Sequence, residues 1–475
     1  MKKYILITII CVFFGMNIYS SNAETKKDKA KGAPEWLSNG IMYQIWLRSF
    51  TVEGTLNAAT KKLPEIKELG VTIVYLCPIM LQDRGINREF WSIRQQASPA
   101  NNPRNPYRIM DYTKIDPEYG TEKDFKEFVK IAHSLGLYII LDLVYRHTGP
   151  NNVLITQHPE YYKMDSLGNI YINQYNFAEL NFENVNLREF LLKNMIDWMK
   201  VYKFDGWRYD SPNVIPPDFF EEARKRMEKI NPNVGVLLEG NNLELFRACD
   251  VCYGFPWFQG LRNVLIDGEP ASALHESWKI LHDKFPEGSR FIRYVDNHDM
   301  YRPQIIFGER GSKAANVINF TIDGVPFIFN GQEIGDGSPY GIRYYPEKSY
   351  NDNGAINWNV KNIPHIRELR NWYKKLIHLR NSETALQRGE TSWLKTDKPE
   401  SVIAFLRHTE NERIITIVNV SNRQLKVEVE LPVSQASEQN KCKSLFSSGE
   451  SEDVKLNNGS ILISFGSFGY YVGKF

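Results

Sequence analysis

A chain of 475 residues is long enough for one large domain and a smaller one. With 42% apolar and 24% charged residues it has the composition of a folded protein, not a disordered one. A formal net charge of +2 gives no electrostatic ground for nucleic acid or an anionic membrane as partner.

The chain opens with Lys2 and Lys3, then the apolar run YILITIICVFFGM, then SNA ending at Ala23. That order reads as a secretory signal peptide over 1–23, and so as an exported protein, periplasmic or secreted. The run is too short and one-sided for a comfortable membrane span, so none is expected in the mature chain. Ile10 precedes Cys11 where a lipid-anchored leader needs a small residue. Residues 24–35, charged and poor in apolar side chains, read as a tether.

From about residue 40 to 380, short β-rich runs alternate with helical patterns. The runs at 41–47, 72–77, 138–145, 204–209, 234–239, 250–255, 290–295 and 325–330 are the predicted strands. Between them, GTEKDFKEFVKIAHSLG (120–136) repeats its apolar residues every three or four positions, a helical period. Asn186 and Pro217 are expected helix starts. Eight strands with helical connections predict an α/β fold, a (β/α)8 TIM barrel over 36–382 with a small inserted segment (148–185) after strand three. A doubly wound open sheet is the rival, since counting strands does not show closure. Beyond 383, SVIAFLRH, RIITIVNV, LKVEVELP and ILISF predict a C-terminal all-β sandwich domain, 383–475.

Mature-chain cysteines are Cys77, Cys249, Cys252 and Cys442, too few for a disulfide framework. The C-x-x-C at 249–252 is open to three readings: a redox pair, half a zinc site, or small residues of a buried strand. No second Cys or His pair has the spacing to complete a zinc site.

Barrel enzymes keep their active sites where the strands end, and several of these strands end in polar residues. The third carries Asp142 and leads to His147, the fourth carries Arg208 and Asp210, the fifth runs into Glu239, and the seventh delivers His298 and Asp299. Retaining glycoside hydrolysis needs one ionised carboxylate to attack and one protonated carboxyl to donate, about 5–5.5 Å apart. Alternate strand residues face the same side, so Arg208 can hold Asp210 ionised, while Glu239 follows an apolar strand that favours a raised pKa. Taken alone, an R-x-D pair is more often a surface salt bridge, and Asp, Glu and His also serve as metal ligands. No pair here has helical i, i+4 ligand spacing.

DLVYRHT (142–148), GWRYDSPN (206–213), LLEG (237–240) and YVDNHDMYR (294–302) resemble, in order and spacing, the four signature regions of the α-amylase family, glycoside hydrolase family 13. MYQIWLRSF, NPYRIMDYTKIDPEYGT and GVPFIFNGQEIG agree with it too. The resemblance implies Asp210 as nucleophile, Glu239 as acid/base and Asp299 as the third carboxylate. It implies Arg208 orienting Asp210, His147 and His298 on sugar hydroxyls, Tyr107 stacking beneath the sugar, and Asp142 and Arg302 in the supporting polar shell. The expected substrate is an α-glucan or maltooligosaccharide cleaved mainly at α-1,4 bonds. A glycosyltransferring enzyme (4-α-glucanotransferase or similar) is the first alternative, and a non-catalytic carbohydrate-binding protein the second. Aromatic residues at 13% suit a protein that stacks sugar rings.

The departures bear on cofactors. The family's first signature region has an Asn before its histidine that helps hold calcium; here that residue is Arg146, a cation where Ca²⁺ wants oxygen donors. No metal or other cofactor is therefore expected. Asn213 and Val214 stand where many α-amylases have a Lys-His pair, which points towards short substrates. The sequence gives no oligomeric state.

Overall fold

The computed structural model describes residues 29–97, 103–240, 242–337, 355–432, 442–449, 454–457 and 459–475. The expected signal peptide, with Cys11, and the first residues of the expected tether lie outside the described residues. The remainder of that tether is bound: Ala30 N–H donates to Glu287 O (2.9 Å), and Lys31 N–H to Phe246 O (2.9 Å).

All eight apolar runs form parallel strands: β1 (Met42–Ile45), β2 (Ile73–Leu76), β3 (Tyr138–Leu143), β4 (Gly206–Tyr209), β5 (Gly235–Leu238), β6 (Val251–Tyr253), β7 (Arg290–Arg293) and β8 (Val325–Phe329). Met42 pairs with Ile73 on one side and Phe327 on the other, so first and last strands meet and the barrel closes. Closure excludes the open-sheet rival. The strands are short and nearly all buried, as expected when helices cover the outside of a parallel sheet. Glycine is required where β4 meets β5: a Cβ on Gly206 would stand 2.2 Å from Gly235 O.

The helix expected near 120–136 spans Glu122–Ser134, with Thr121 and Asp124 forming a reciprocal capping box. The helix before β4, Val185–Tyr202, starts before Asn186. Its cap is Asn184, whose side chain accepts from the N–H groups of Asn186 and Leu187. Two asparagines stand two residues apart, and the earlier one has the extended backbone from which a side chain reaches the first turn. Pro217 opens its helix, Pro217–Glu228, where its missing N–H costs nothing.

Two excursions rise from the C-terminal edge of the barrel. After β3, His147–Thr148 pairs with Ala178–Glu179 across the inserted segment. After β2, Met80–Gln82 pairs with Ile109–Ile115 and delivers Tyr107, a hairpin the strand count did not anticipate. The C-terminal domain packs a five-stranded antiparallel sheet on a three-stranded one, with Ile415 and Ile417 facing Val427, Val429, Ile461 and Ile463 in a shared core. The sequence patterns found its strands Val402–His408, Arg413–Asn419, Leu425–Glu430 and Ser460–Phe465. They missed Glu390–Trp393, Lys443–Ser447 (bulged between Ser444 and Phe446), Lys455–Asn457 and Tyr470–Lys474, where alternation is weak or the strand is short. The four cysteines among the described residues are free thiols; Cys249 and Cys252 are fully buried at β6, and among the described residues no group of three or more His, Cys, Asp or Glu is arranged to hold a metal ion.

Candidate active site

The ends of β3, β4 and β5 converge on one guanidinium. Arg208, 1% exposed, donates from Nη1 to Asp142 Oδ1 and Asp210 Oδ1, both at 2.8 Å, and its Nη2 pairs with Glu239 Oε2 at 2.8 Å. Sequence reasoning paired Arg208 with Asp210 alone; the shared contact with Glu239 appears only once β4 and β5 are neighbours. Three acids on one cation do not all ionise freely. Burial, reinforced by Asp210 and Asp299, pushes the Glu239 carboxyl up to about 7 against the pull of Arg208. Burial also raises Asp142 and Asp210, again opposed by Arg208.

The chain turns sharply after Asp210. Ser211 has φ 40° and ψ 48°, a left-handed backbone that a serine before proline adopts at a cost. The turn aims the Ser211 N–H at Glu239 Oε2, 3.0 Å away. One oxygen of each acid is thereby committed, Oδ1 of Asp210 and Oε2 of Glu239. Oδ2 of Asp210 and Oε1 of Glu239 have no partner among the described residues.

Behind this pair runs a chain of hydrogen bonds. Asp142 Oδ2 accepts from Tyr75 Oη (2.7 Å) and Tyr107 Oη (2.8 Å). Tyr107 Oη lies 2.7 Å from His298 Nε2, and His298 Nδ1 lies 2.8 Å from Gln44 Nε2. Gln44 Oε1 accepts from the His298 backbone N–H (3.3 Å), which fixes its amide with the NH2 towards Nδ1. Nδ1 therefore accepts, Nε2–H donates to Tyr107, and Tyr107 donates to Asp142. Trp46, His298 and Tyr107 stack, with His298 centred 5.6 Å from Trp46 and 5.5 Å from Tyr107. Gln44 and Tyr75 were not singled out from the sequence. Each is an isolated polar or phenolic group in an apolar strand, and only barrel closure shows that it faces inward.

His147 stands on the other side, its ring stacked on Phe177 at 4.1 Å. Burial pushes it down to about 3, so it is neutral, and its ring nitrogens make no more than a marginal contact with the Tyr107 backbone. Asp299 follows β7 with its side chain 17% exposed, 4.0 Å from His298 Nε2. Arg302 touches none of these acids. It donates to Asp296 Oδ2 (2.7 Å), Asn330 O (2.8 Å) and Asp336 O (3.0 Å), tying the loop after β7 to the loop after β8. Asn213 accepts from the Asn242 N–H at 3.3 Å, and Val214 is half exposed beside it.

A calcium ion does not fit the residues around Arg146. Its guanidinium lies 3.5 Å from Glu179 Oε2 and over the Tyr175 ring, and Lys163 Nζ holds the other Glu179 oxygen at 2.8 Å. The Glu179 carboxylate is thus neutralised by two cations.

Residues 18–166 match the family model described as "Alpha amylase, catalytic domain", and residues 392–472 match "Maltogenic Amylase, C-terminal domain". In both stretches the chain is similar to proteins of the α-amylase family. Among curated α-amylase relatives, α-amylase MalA of Haloarcula japonica is 24% identical over 435 residues, 87% of this chain and 60% of that protein, so the chain spans well under its full length. A Bacillus sp. cyclomaltodextrinase is 24% identical, covering 81% of this chain and 73% of that one. Alpha-amylase 3 of Dictyoglomus thermophilum is 26% identical, with 81% and 85% covered. In fold, the chain is similar to the maltogenic α-amylase AmyB of Thermotoga neapolitana, with a TM-score of 0.77 at 24% identity over 92% of this chain and 99% of that one.

Proposed function

We propose that this α-amylase-family hydrolase is a retaining enzyme that cleaves α-glucosidic bonds, mainly α-1,4, in starch-derived glucans and maltooligosaccharides. The observation that carries the reading is the sharing of Arg208 between Asp210 and Glu239, with one oxygen of each acid left free. Glu239, pushed up to about 7, holds a proton on Oε1 below that pH, while Arg208, donating to Asp210 Oδ1, opposes the burial that raises that carboxyl and favours its ionised form. Glu239 gives that proton to the leaving glycosidic oxygen as Asp210 Oδ2 attacks the anomeric carbon and forms a glycosyl ester. Glu239, now a carboxylate, takes a proton from water, whose oxygen attacks the same carbon and expels Asp210. Asp299 and the unpaired nitrogens of His147 take sugar hydroxyls, and Tyr107 lies beneath the ring. Asp142, Arg208 and Arg302 are buried and act as positioning residues.

The Asn213–Val214 pair supports short substrates, in keeping with relatives named cyclomaltodextrinase and maltogenic α-amylase. The Arg146–Glu179 pair supports activity without calcium, and the Lys2–Ala23 pattern supports export, with cleavage after Ala23. The test is a product time course on maltoheptaose beside the Asp210→Asn variant. Shorter maltooligosaccharides from the wild type and none from the variant are expected. Products longer than seven units would assign transfer in place of hydrolysis, and products unchanged by the substitution would sink the mechanism.

A further inference from the structure

At the end of the barrel opposite the cleft, four arginines gather around one carboxylate. Arg290 and Arg293 open and close β7, Arg380 lies near the end of the helix Pro364–Ser382, and Arg407 comes from the C-terminal domain on the strand Val402–His408. Three of them serve the chain just before β8. Arg380 donates to Phe320 O (3.1 Å), Ile322 O (2.7 Å) and Gly324 O (2.6 Å). Arg407 donates to Thr321 O (3.4 Å) and Gly389 O (2.5 Å), and Arg293 Nε to Asp323 O (2.7 Å). Five consecutive carbonyls at a helix C-terminus are thus satisfied, and the helix dipole supplies about half a negative charge there.

That accounts for the carbonyls and not for the charge. Among the described residues Asp323 is the one carboxylate paired with any of the four arginines, and its oxygens are already taken by Arg293 Nη2 (2.8 Å), Trp278 Nε1 (3.0 Å) and His282 Nε2 (2.7 Å). Arg293, Arg380 and Arg407 are at most 1% exposed, yet Arg293 Nη1, Arg380 Nε and Arg407 Nε have no acceptor. The Arg290 side chain, mostly buried, makes no hydrogen bond or ion pair with any described residue. Burial and mutual repulsion depress Arg380 strongly and bring Arg407 down to about 10, which places the four within each other's field. Unpaired buried cations with unmet donors are costly, and an anion relieves both charge and donors at once.

We propose that this junction between barrel and C-terminal domain binds a small monovalent anion of the chloride class, held by Arg290 and the unused N–H groups of Arg293, Arg380 and Arg407. The donor set selects the class. Oxyanions are favoured by paired N–H forks; here Arg380 and Arg407 each offer a lone Nε–H and Arg293 one Nη1 amino group, separate donors from three side chains that suit a spherical ion. The ion would join the two domains through Arg407 without touching the cleft.

The test uses the full chain, dialysed into potassium gluconate, with chloride exchanged for gluconate at fixed ionic strength. The wild-type Tm should rise and saturate, by about 2 °C or more. Arg290→Met, which removes the least committed cation, should start above the wild type without chloride and show no further rise. A wild-type Tm equal in both salts would overturn the site, as would an undiminished rise in Arg290→Met. In bromide-soaked crystals an anomalous peak among the four side chains is expected, and its absence would overturn the assignment. A rise produced by sulfate and not by chloride would overturn the halide class.

Discussion

Glu239 titrates near 7 because it is buried beside two other acids with one guanidinium to share. In its proposed role of proton donor it is competent below that pH, so kcat should fall as pH rises through about 7, and Glu239→Gln should lose this limb along with about 10²–10⁴-fold of rate on natural sugars. Stability follows the same proton with a definite sign. The folded pKa lies above the ordinary value of 4.5, so the contribution is complete below about 4.5 and lost as pH climbs through about 7. Glu239→Gln should therefore melt higher than the wild type at pH 8, by an energy on the order of 2–3 kcal/mol, and match it more closely at pH 4; equal Tm differences at both pH values would contradict the burial account. Tyr75→Phe leaves Asp142 one donor short and should cost about 1–3 kcal/mol in denaturant unfolding, and it should lower kcat more than it raises KM. Asp142, Arg208, Asp210 and Glu239 were legible in the sequence because each interrupts or closes an apolar run near its C-terminal end. Gln44 and Tyr75 were not, since nothing local says which face of a strand turns inward.

Elements were easier to read than their ends. Every barrel strand announced itself by a run of β-branched and aromatic residues, whereas the helix before β4 began at Asn184 and not at Asn186 because capping depends on backbone conformation, which composition does not reveal. Asn184→Ala should cost about 1 kcal/mol, measured by chemical denaturation, with Asn186→Ala nearly silent. Gly206→Ala is a different matter. Its methyl would meet the Gly235 carbonyl at 2.2 Å, and backbone has nowhere to retreat between paired strands. A loss of about 3 kcal/mol or an insoluble product is expected, and a soluble variant with wild-type Tm would show that β4 and β5 are less tightly joined than described. The hairpin after β2 went unread because its strands are short and irregular in register, yet it brings Tyr107 to the site.

For the whole molecule, Arg146 has the widest consequence. Arg146 and Lys163 both pair with Glu179, a link that no chelator removes. Exhaustive treatment with a chelator should leave both activity and Tm within error of the untreated protein, and a large loss restored by Ca²⁺ would refute the substitution. The two-domain plan was legible from the change of pattern near 383. How the domains meet was not, because Arg380 and Arg407 look like ordinary surface charges until the carbonyls of 320–324 are placed between them.

The barrel closes only when β1 pairs with β8. Asp210, Glu239 and Asp299 all leave the ribosome before Phe329 does, so a growing chain carries these three carboxylates for some time with no cleft to hold them. Activity then arrives as a step and not a gradient, and a fragment that stops between Asp299 and Phe329 would have every tool and no workshop.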